Sequence, residues 1–297
     1  MESGIINIYK KAGFTSHDVV AKARGILREK KIGHTGTLDP EAEGVLPICI
    51  GKATKIVPYL MEDDKCYEAE VILGSTTTTE DSTGEVVATF PVNVSREQIA
   101  EVVASFVGDY TQTPPMYSAI KVNGTRLYEL ARRGIVVDRP SRTVKIYSAD
   151  IIEYIDNVRF RIRVKCSKGT YIRTLCTDIG EKLGCGAHMG YLLRTQVGRF
   201  NLENSVTLDE LQENKEEAAK YLYSLEEMFD GYKKVKVIGD GKKLLANGNP
   251  LKKAHLTVLD NSNNEIENDE LVAVYDEDRF VALYKYTNNR FMPEKMF

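Results

Sequence analysis

Two stretches of this chain alternate apolar and polar side chains with a period of two, which commits each to a strand with one buried face. In 65–74, Tyr67, Ala69, Val71 and Leu73 fall on one side, and Cys66, Glu68 and Glu70 on the other. In 159–166, Phe160, Ile162, Val164 and Cys166 alternate with Arg159, Arg161, Arg163 and Lys165, so the outer face is basic. Ile5–Tyr9 reads as a further strand. Helical spacing follows at Val19, Val20, Ala23 and Ile26, with Thr15 or Ser16 as N-cap and Asp18 in the first turn. A second helix carries Ile172, Leu175, Ile179 and Leu183 as its apolar stripe and Gly184 as its C-cap. That places Arg173 in the first turn of the helix, off the buried stripe.

Between these elements lies Gly33-His34-Thr35-Gly36-Thr37-Leu38-Asp39-Pro40, a loop that sets one carboxylate among glycines, threonines and a histidine. Gly33 and Gly36 permit a backbone that a Cβ would block, and Pro40 biases Asp39 towards an extended conformation. An isolated Asp-Pro is ordinarily an Asx-type turn in which the carboxylate caps local amides. Here the loop continues through Glu41-Ala42-Glu43-Gly44 into Val45-Leu46-Pro47-Ile48-Cys49-Ile50-Gly51-Lys52-Ala53-Thr54-Lys55.

Read whole, GHTGTLDPEAEGVLPICIGKATK closely resembles the active-site motif of the TruB family of tRNA pseudouridine synthases. The resemblance covers residues 3–230. It implies an α+β pseudouridine synthase fold with a mixed, largely antiparallel sheet, over a catalytic domain of residues 1–230. It also implies isomerisation of uridine to pseudouridine at position 55 in the T-arm loop of tRNA, without a cofactor. Carried over position by position, it makes Asp39, Tyr67 and Arg173 the catalytic residues. His34 would occupy the space left by a flipped base, and Tyr171 and Leu192 would shape the uracil pocket. Lys168, in Lys168-Gly169-Thr170-Tyr171-Ile172-Arg173-Thr174, joins them as a substrate-binding candidate. Gly74–Gly84 follows the family's threonine- and aspartate-rich loop, except that Thr78 stands where an aspartate is usual.

Formal net charge is −3, which looks wrong for an RNA enzyme because phosphate binding favours a basic surface. Residues 203–230 hold nine acids and two lysines, so the rest of the chain carries +4. One basic cluster comprises Arg126, Arg132, Arg133, Arg139, Arg142 and Lys145. A second comprises Arg159, Arg161, Arg163, Lys165 and Lys168. Each is equally readable as a solvated face. All of the first but Lys145 lies in 111–142, an irregular stretch with a turn at Asn123-Gly124 and a short helix at Leu127–Ala131. In the resemblance this insertion grips RNA. Residues 207–230 form an acidic amphipathic segment with Leu208, Leu211, Leu222, Leu225, Met228 and Phe229 as its apolar set.

From residue 232 to 297 short strands dominate, with Asp276-Glu277-Asp278 as a hairpin turn. The spacing predicts a small β-barrel, PUA-like by pattern and position, with Lys242, Lys243, Lys252 and Lys253 exposed for RNA. The five cysteines form no C-x-x-C pair and the four histidines have no metal-ligand spacing, so reduced thiols and no metal are expected. No apolar run approaches a membrane span, and Met1-Glu2-Ser3-Gly4 lacks the regions of a signal peptide. A cytoplasmic monomer acting on tRNA is the expectation. Two rivals remain: a non-catalytic tRNA-binding or folding factor, and a retaining glycosidase acting on free nucleosides, for which no second acid has a recognisable context.

Overall fold

A computed structural model describes residues 2–259 and 265–297. The two alternating stretches become neighbouring antiparallel strands, Lys65–Leu73 and Arg159–Cys166, with Tyr67 opposite Val164. They sit in an 11-stranded sheet. Its main path runs Val206–Thr207, Gly4–Lys10, Glu43–Ile50, Ala187–Val197, Lys65–Leu73, Arg159–Cys166, Arg142–Tyr154, Gly108–Gln112. Along this path two junctions are parallel: Gly4–Lys10 beside Val206–Thr207, and Glu43–Ile50 beside Ala187–Val197. The sheet is therefore mixed and largely antiparallel, and the class α+β.

The helices Ser16–Leu27, Arg96–Ala104 and Ile172–Lys182 cover one face and share a core with it that includes Val20, Val71, Ile99, Ile162 and Ile179. Burial of each such side chain contributes about 1.5–3 kcal/mol. Thr15 caps the first helix in a reciprocal box with Asp18, worth about 1 kcal/mol. The helix Ile172–Lys182 ends ahead of Gly184, whose φ of +73° suits the glycine there. Arg173 departs from the sequence expectation. It is buried, 5% exposed, because the 79–81 loop and Tyr117 fold over the first turn of its helix.

The acidic segment is not one helix. Helix Leu208–Glu213 gives way to a 3-10 turn, then to strand Leu222–Ser224, which pairs with Gly4–Ile6. Its apolar set does pack inward, led by Leu211 and Phe229. Phe229 stacks against Tyr59, Tyr232, Phe280 and Phe297, so the segments on either side of residues 230–232 share a buried cluster.

The C-terminal strands form a five-stranded sheet ordered Leu256–Val258, Lys233–Val237, Leu271–Asp276, Arg279–Thr287, Arg290–Met296. The predicted hairpin turn is present, with Asp276 opposite Arg279. Among the described residues this sheet is open, so the predicted barrel does not close. Its first edge strand has only three residues, and the chain before it reaches the last strand through a single bridge, Leu251 to Phe291. A zipped seam needs a longer run of paired residues.

Candidate active site

The loop from His34 to Ala42 is pinned almost wholly through its backbone. His34 ends strand Ile32–His34, paired with Ile48. Thr35 N donates to Pro47 O at 3.1 Å, and Leu38 N to Ser16 Oγ at 2.8 Å. Pro40 O accepts from Gly13 N at 3.0 Å and from the buried Lys10 Nζ at 2.8 Å. Lys10 Nζ also donates to Phe14 O at 2.6 Å, tying the first helix to the same loop. With the main chain so occupied, the Asp39 carboxylate projects free of local amides, unlike the capping carboxylate of an Asx turn.

That carboxylate meets Arg173, 134 residues away in sequence. Arg173 Nε lies 3.0 Å from Asp39 Oδ2, and Nη2 donates to Oδ1 at 3.4 Å, a side-on bidentate pair. The guanidinium also donates to Thr79 O at 3.0 Å and Tyr117 O at 2.8 Å. Its far edge faces Asp81 Oδ2 at 3.6 Å. Asp39 keeps 40% of its side chain exposed, so the pair is sealed behind and open in front. Desolvation pushes the Asp39 carboxyl above the ordinary carboxylate range; Arg173 opposes this, Asp81 adds to it, and Lys10 opposes it. The 40% exposure keeps part of the hydration shell, which limits the upward push.

Tyr67 lies on the buried face of its strand and feels the charge of Asp39. Its phenol is raised, chiefly by burial, against the pull of Arg194. Leu192 is opposite Ala69 in the adjoining strand and belongs to the same buried cluster as Tyr67. Tyr171 caps the helix that carries Arg173. Its backbone N donates to Gln112 Oε1 at 2.7 Å, and the Arg142 guanidinium lies 4.8 Å above its ring. The Gly36 N donates to His34 Nδ1 at 3.3 Å, and His17 packs edge-on with ring centroids 5.8 Å apart. Burial, His17 and Arg194 all hold the His34 imidazole below its usual value. Lys168 forms a surface ion pair with Glu62.

Two residues of the site escaped the sequence reading. Asp81, not Thr78, is the loop carboxylate that reaches Arg173; Thr78 Oγ1 instead accepts from Glu85 N and closes the turn. Asp81 Oδ1 accepts from Thr79 Oγ1, Thr83 Oγ1 and Thr83 N, at 2.6, 2.5 and 3.0 Å. An acid surrounded by threonines was the available signal. Arg194 is the other, a charge sealed in a strand's buried face. The two basic clusters also separate. Arg159, Arg161 and Arg163 are matched by Asp156, Glu70, Glu153 and Glu68. Among the described residues, none of Arg126, Arg132, Arg133, Arg139, Arg142 and Lys145 has a carboxylate in ion-pair range. All five cysteines are free, and among the described residues no cluster of three or more His, Cys, Asp or Glu is placed to hold a metal. Among the described residues, no helix is long and apolar enough to cross a membrane.

Two family models match this chain. The model for the TruB family pseudouridylate synthase N-terminal domain matches residues 24–172, which hold Asp39 and Tyr67. The model for the tRNA pseudouridylate synthase B C-terminal domain matches residues 173–230, beginning at Arg173. The chain belongs to the TruB family. It is similar to the TruB-family protein named tRNA pseudouridine synthase B of Clostridium perfringens strain SM101, 46% identical over 298 residues, covering 99% of this chain and 98% of that one. The protein of the same name from Alkaliphilus oremlandii is 49% identical over 283 residues, covering 94% and 92%. Among solved structures it is similar to a chain of an H/ACA RNP bound to a substrate RNA containing 2'-deoxyuridine (TM-score 0.74, 29% identity, covering 99% of this chain and 84% of that one). A chain of a Cbf5-Nop10-Gar1 complex matches equally well (TM-score 0.73, 30% identity, 99% and 84%). The protein is thus a pseudouridine synthase of the TruB family.

Proposed function

We propose that this enzyme converts uridine to pseudouridine at position 55 in the T-arm loop of tRNA, in the cytoplasm, with Asp39 as its nucleophile or electrostatic partner. The observation that carries the reading is the open-fronted Asp39–Arg173 pair, presented by a loop anchored through the backbone of Thr35, Leu38 and Pro40. The reaction breaks the N1–C1′ bond, turns the uracil and rejoins it through C5, so the uracil loses a proton at C5 and gains one at N1. No atom is added and no electron is transferred, so no cofactor is required. A carboxylate can stabilise or capture the positive sugar that develops, or add to the base. The upward push on Asp39 makes it the more basic anion, while Arg173 fixes its direction and favours its charge.

The target base reaches this group only after leaving the stack. His34 beside the open front would take the vacated space, with Tyr171 and Leu192 shaping the uracil pocket. Tyr67 would lie against the uracil and take the C5 proton. The unpaired basic cluster in 111–142 suits phosphate contact, as do exposed lysines in 232–297. Lys168, paired with Glu62, would serve RNA only by exchanging that partner. Asp81 bears on the glycosidase alternative. It is a second acid near Asp39, yet its oxygens are taken by Thr79, Thr83 and Arg173, which leaves it unsuited to activating water.

The test is incubation of the full chain with an unmodified tRNA transcript in buffer without cofactor, followed by nucleoside analysis and site mapping. Pseudouridine at position 55 alone supports the proposal. Free uracil would indicate a glycosidase, and binding without any new nucleoside a folding factor.

A further inference from the structure

Arg194 is among the largest side chains fully enclosed by the protein, 2% exposed on the strand Ala187–Val197. The site's two acids both pair with Arg173, and among the described residues no carboxylate lies in ion-pair range of Arg194. A buried cation served only by neutral acceptors is costly to keep, which asks for a reason. Its neighbours supply one. Arg194 Nε donates to Val45 O at 2.8 Å and Nη2 donates to Gly36 O at 3.2 Å. Arg194 and Tyr67 are direct partners across the antiparallel strands, and the Arg194 guanidinium favours the charged form of the phenol against its burial. One planar fork therefore binds the start of the Asp39 loop and the strand after it, directly across the strand pair from Tyr67. At Gly44, with φ +105°, a Cβ would lie 2.2 Å from Arg194 O, so the loop's exit strand closes directly on this residue.

We propose that Arg194 is a positioning residue that works through Tyr67: it fixes the phenol oxygen relative to the Asp39 loop and stabilises the phenolate that accepts the C5 proton. This rests on the reading of Tyr67 given above. In the step, the phenolate oxygen takes the proton, and the C5–H electron pair restores the C5–C6 double bond. The phenol later returns a proton to water, and N1 takes one up. The groups acting on Tyr67 come from three directions: Arg194 from one strand, Cys166 from the other, and Asp39 from the loop. The Cys166 thiol is pushed up to about 12 and stays neutral, while Asp39 opposes phenolate formation. Arg194 is thus the cation that offsets burial. Lysine keeps the charge but cannot hold both carbonyls as a planar fork, and glutamine loses the charge.

The test compares Arg194→Lys, Arg194→Gln, Tyr67→Phe and the two double variants in the full chain, using single-turnover tritium release from tRNA labelled at uridine C5. Thermal melting and tRNA binding are measured alongside. Arg194→Lys should lower the rate about 10-fold or more, with binding changed less than about 3-fold. Its rising pH limb should move to higher pH, because the phenol loses its best partner. Adding Arg194→Lys to Tyr67→Phe should cost nothing further, and 3,5-difluorotyrosine at position 67, a more acidic phenol, should return the Arg194→Lys limb towards the wild-type position. If Tyr67→Phe is slow yet Arg194→Lys costs the same in both backgrounds, or its loss is flat with pH and unrescued, the proposal is overturned while the Tyr67 reading stands. A fully active Tyr67→Phe overturns both. If Arg194→Gln fails to fold, the lysine series decides.

Discussion

Substituting Arg173 by lysine probes the site at its most connected point. The guanidinium reaches Asp39 through two nitrogens, the Thr79 and Tyr117 carbonyls, and the edge of Asp81. A lysine ammonium has three donors and no planar fork, so it cannot hold the carboxylate side-on and both carbonyls together. The bond to Asp39 that it loses is charge-assisted, worth about 1.5–3 kcal/mol. If that bond matters only once the sugar carries charge, single-turnover rate falls by about 10- to 150-fold. A carbonyl left buried adds about 1–3 kcal/mol of destabilisation, visible as a lower Tm. Because Tyr117 belongs to the 111–142 insertion, tRNA affinity should weaken as well. The assay is tritium release from C5-labelled tRNA at saturating enzyme, alongside melting and filter binding. A variant that melts lower but turns over at the wild-type rate would refute the idea that Arg173 aims Asp39.

Tyr67→Phe should bind tRNA normally and lose about 10²-fold in single-turnover rate; unchanged turnover would reduce Tyr67 to packing. Lys10→Met removes the cation that burial depresses to about 8, and with it the donors to Phe14 O and Pro40 O; Tm should fall at pH 7. The sign with pH follows: between about 8 and the ordinary 10.5 the unfolded chain holds more protons at Lys10 than the folded one. The wild type should therefore gain stability relative to Lys10→Met as pH rises through that window, read by denaturant melts; a constant difference would contradict it. Replacing Lys243, Lys252 and Lys253 together by glutamate should weaken tRNA binding and flatten its salt dependence by about one log unit per lost phosphate contact, with the rate at saturation unchanged. Lys242 is left out because it is paired with Asp276 and Glu277. Deleting 232–297 is a poorer test, since it would uncover Phe229 and its partners.

What could be read from the sequence follows how local each cause is. The strands carrying Tyr67 and the basic face were legible because a period of two is written into adjacent residues. The Thr15–Asp18 box and the Asp39 loop are local in the same way. The burial of Arg173 was not, because the carbonyls that cover it come from Thr79 and Tyr117, 94 and 56 residues away. Helical spacing alone put it at the surface. Asp81 was hidden by its own loop, since nothing local says which acid turns towards a distant guanidinium. Arg194 stands in a strand whose alternation puts it inside, and reading charge as exposure concealed it. The barrel failed for a similar reason: closure depends on whether two edges far apart in sequence meet, which strand pattern does not encode.

On the proposed mechanism, Asp39 performs the isomerisation and does not merely hold the loop. Asp39→Asn keeps the shape and much of the polarity but can neither carry the charge nor form the covalent bond. The most direct measurement is the pseudouridine content at position 55 of unmodified tRNA after prolonged incubation with excess Asp39→Asn protein, checked for wild-type melting and tRNA affinity. The expected result is no pseudouridine, with binding intact. Appreciable pseudouridine from that variant would contradict it.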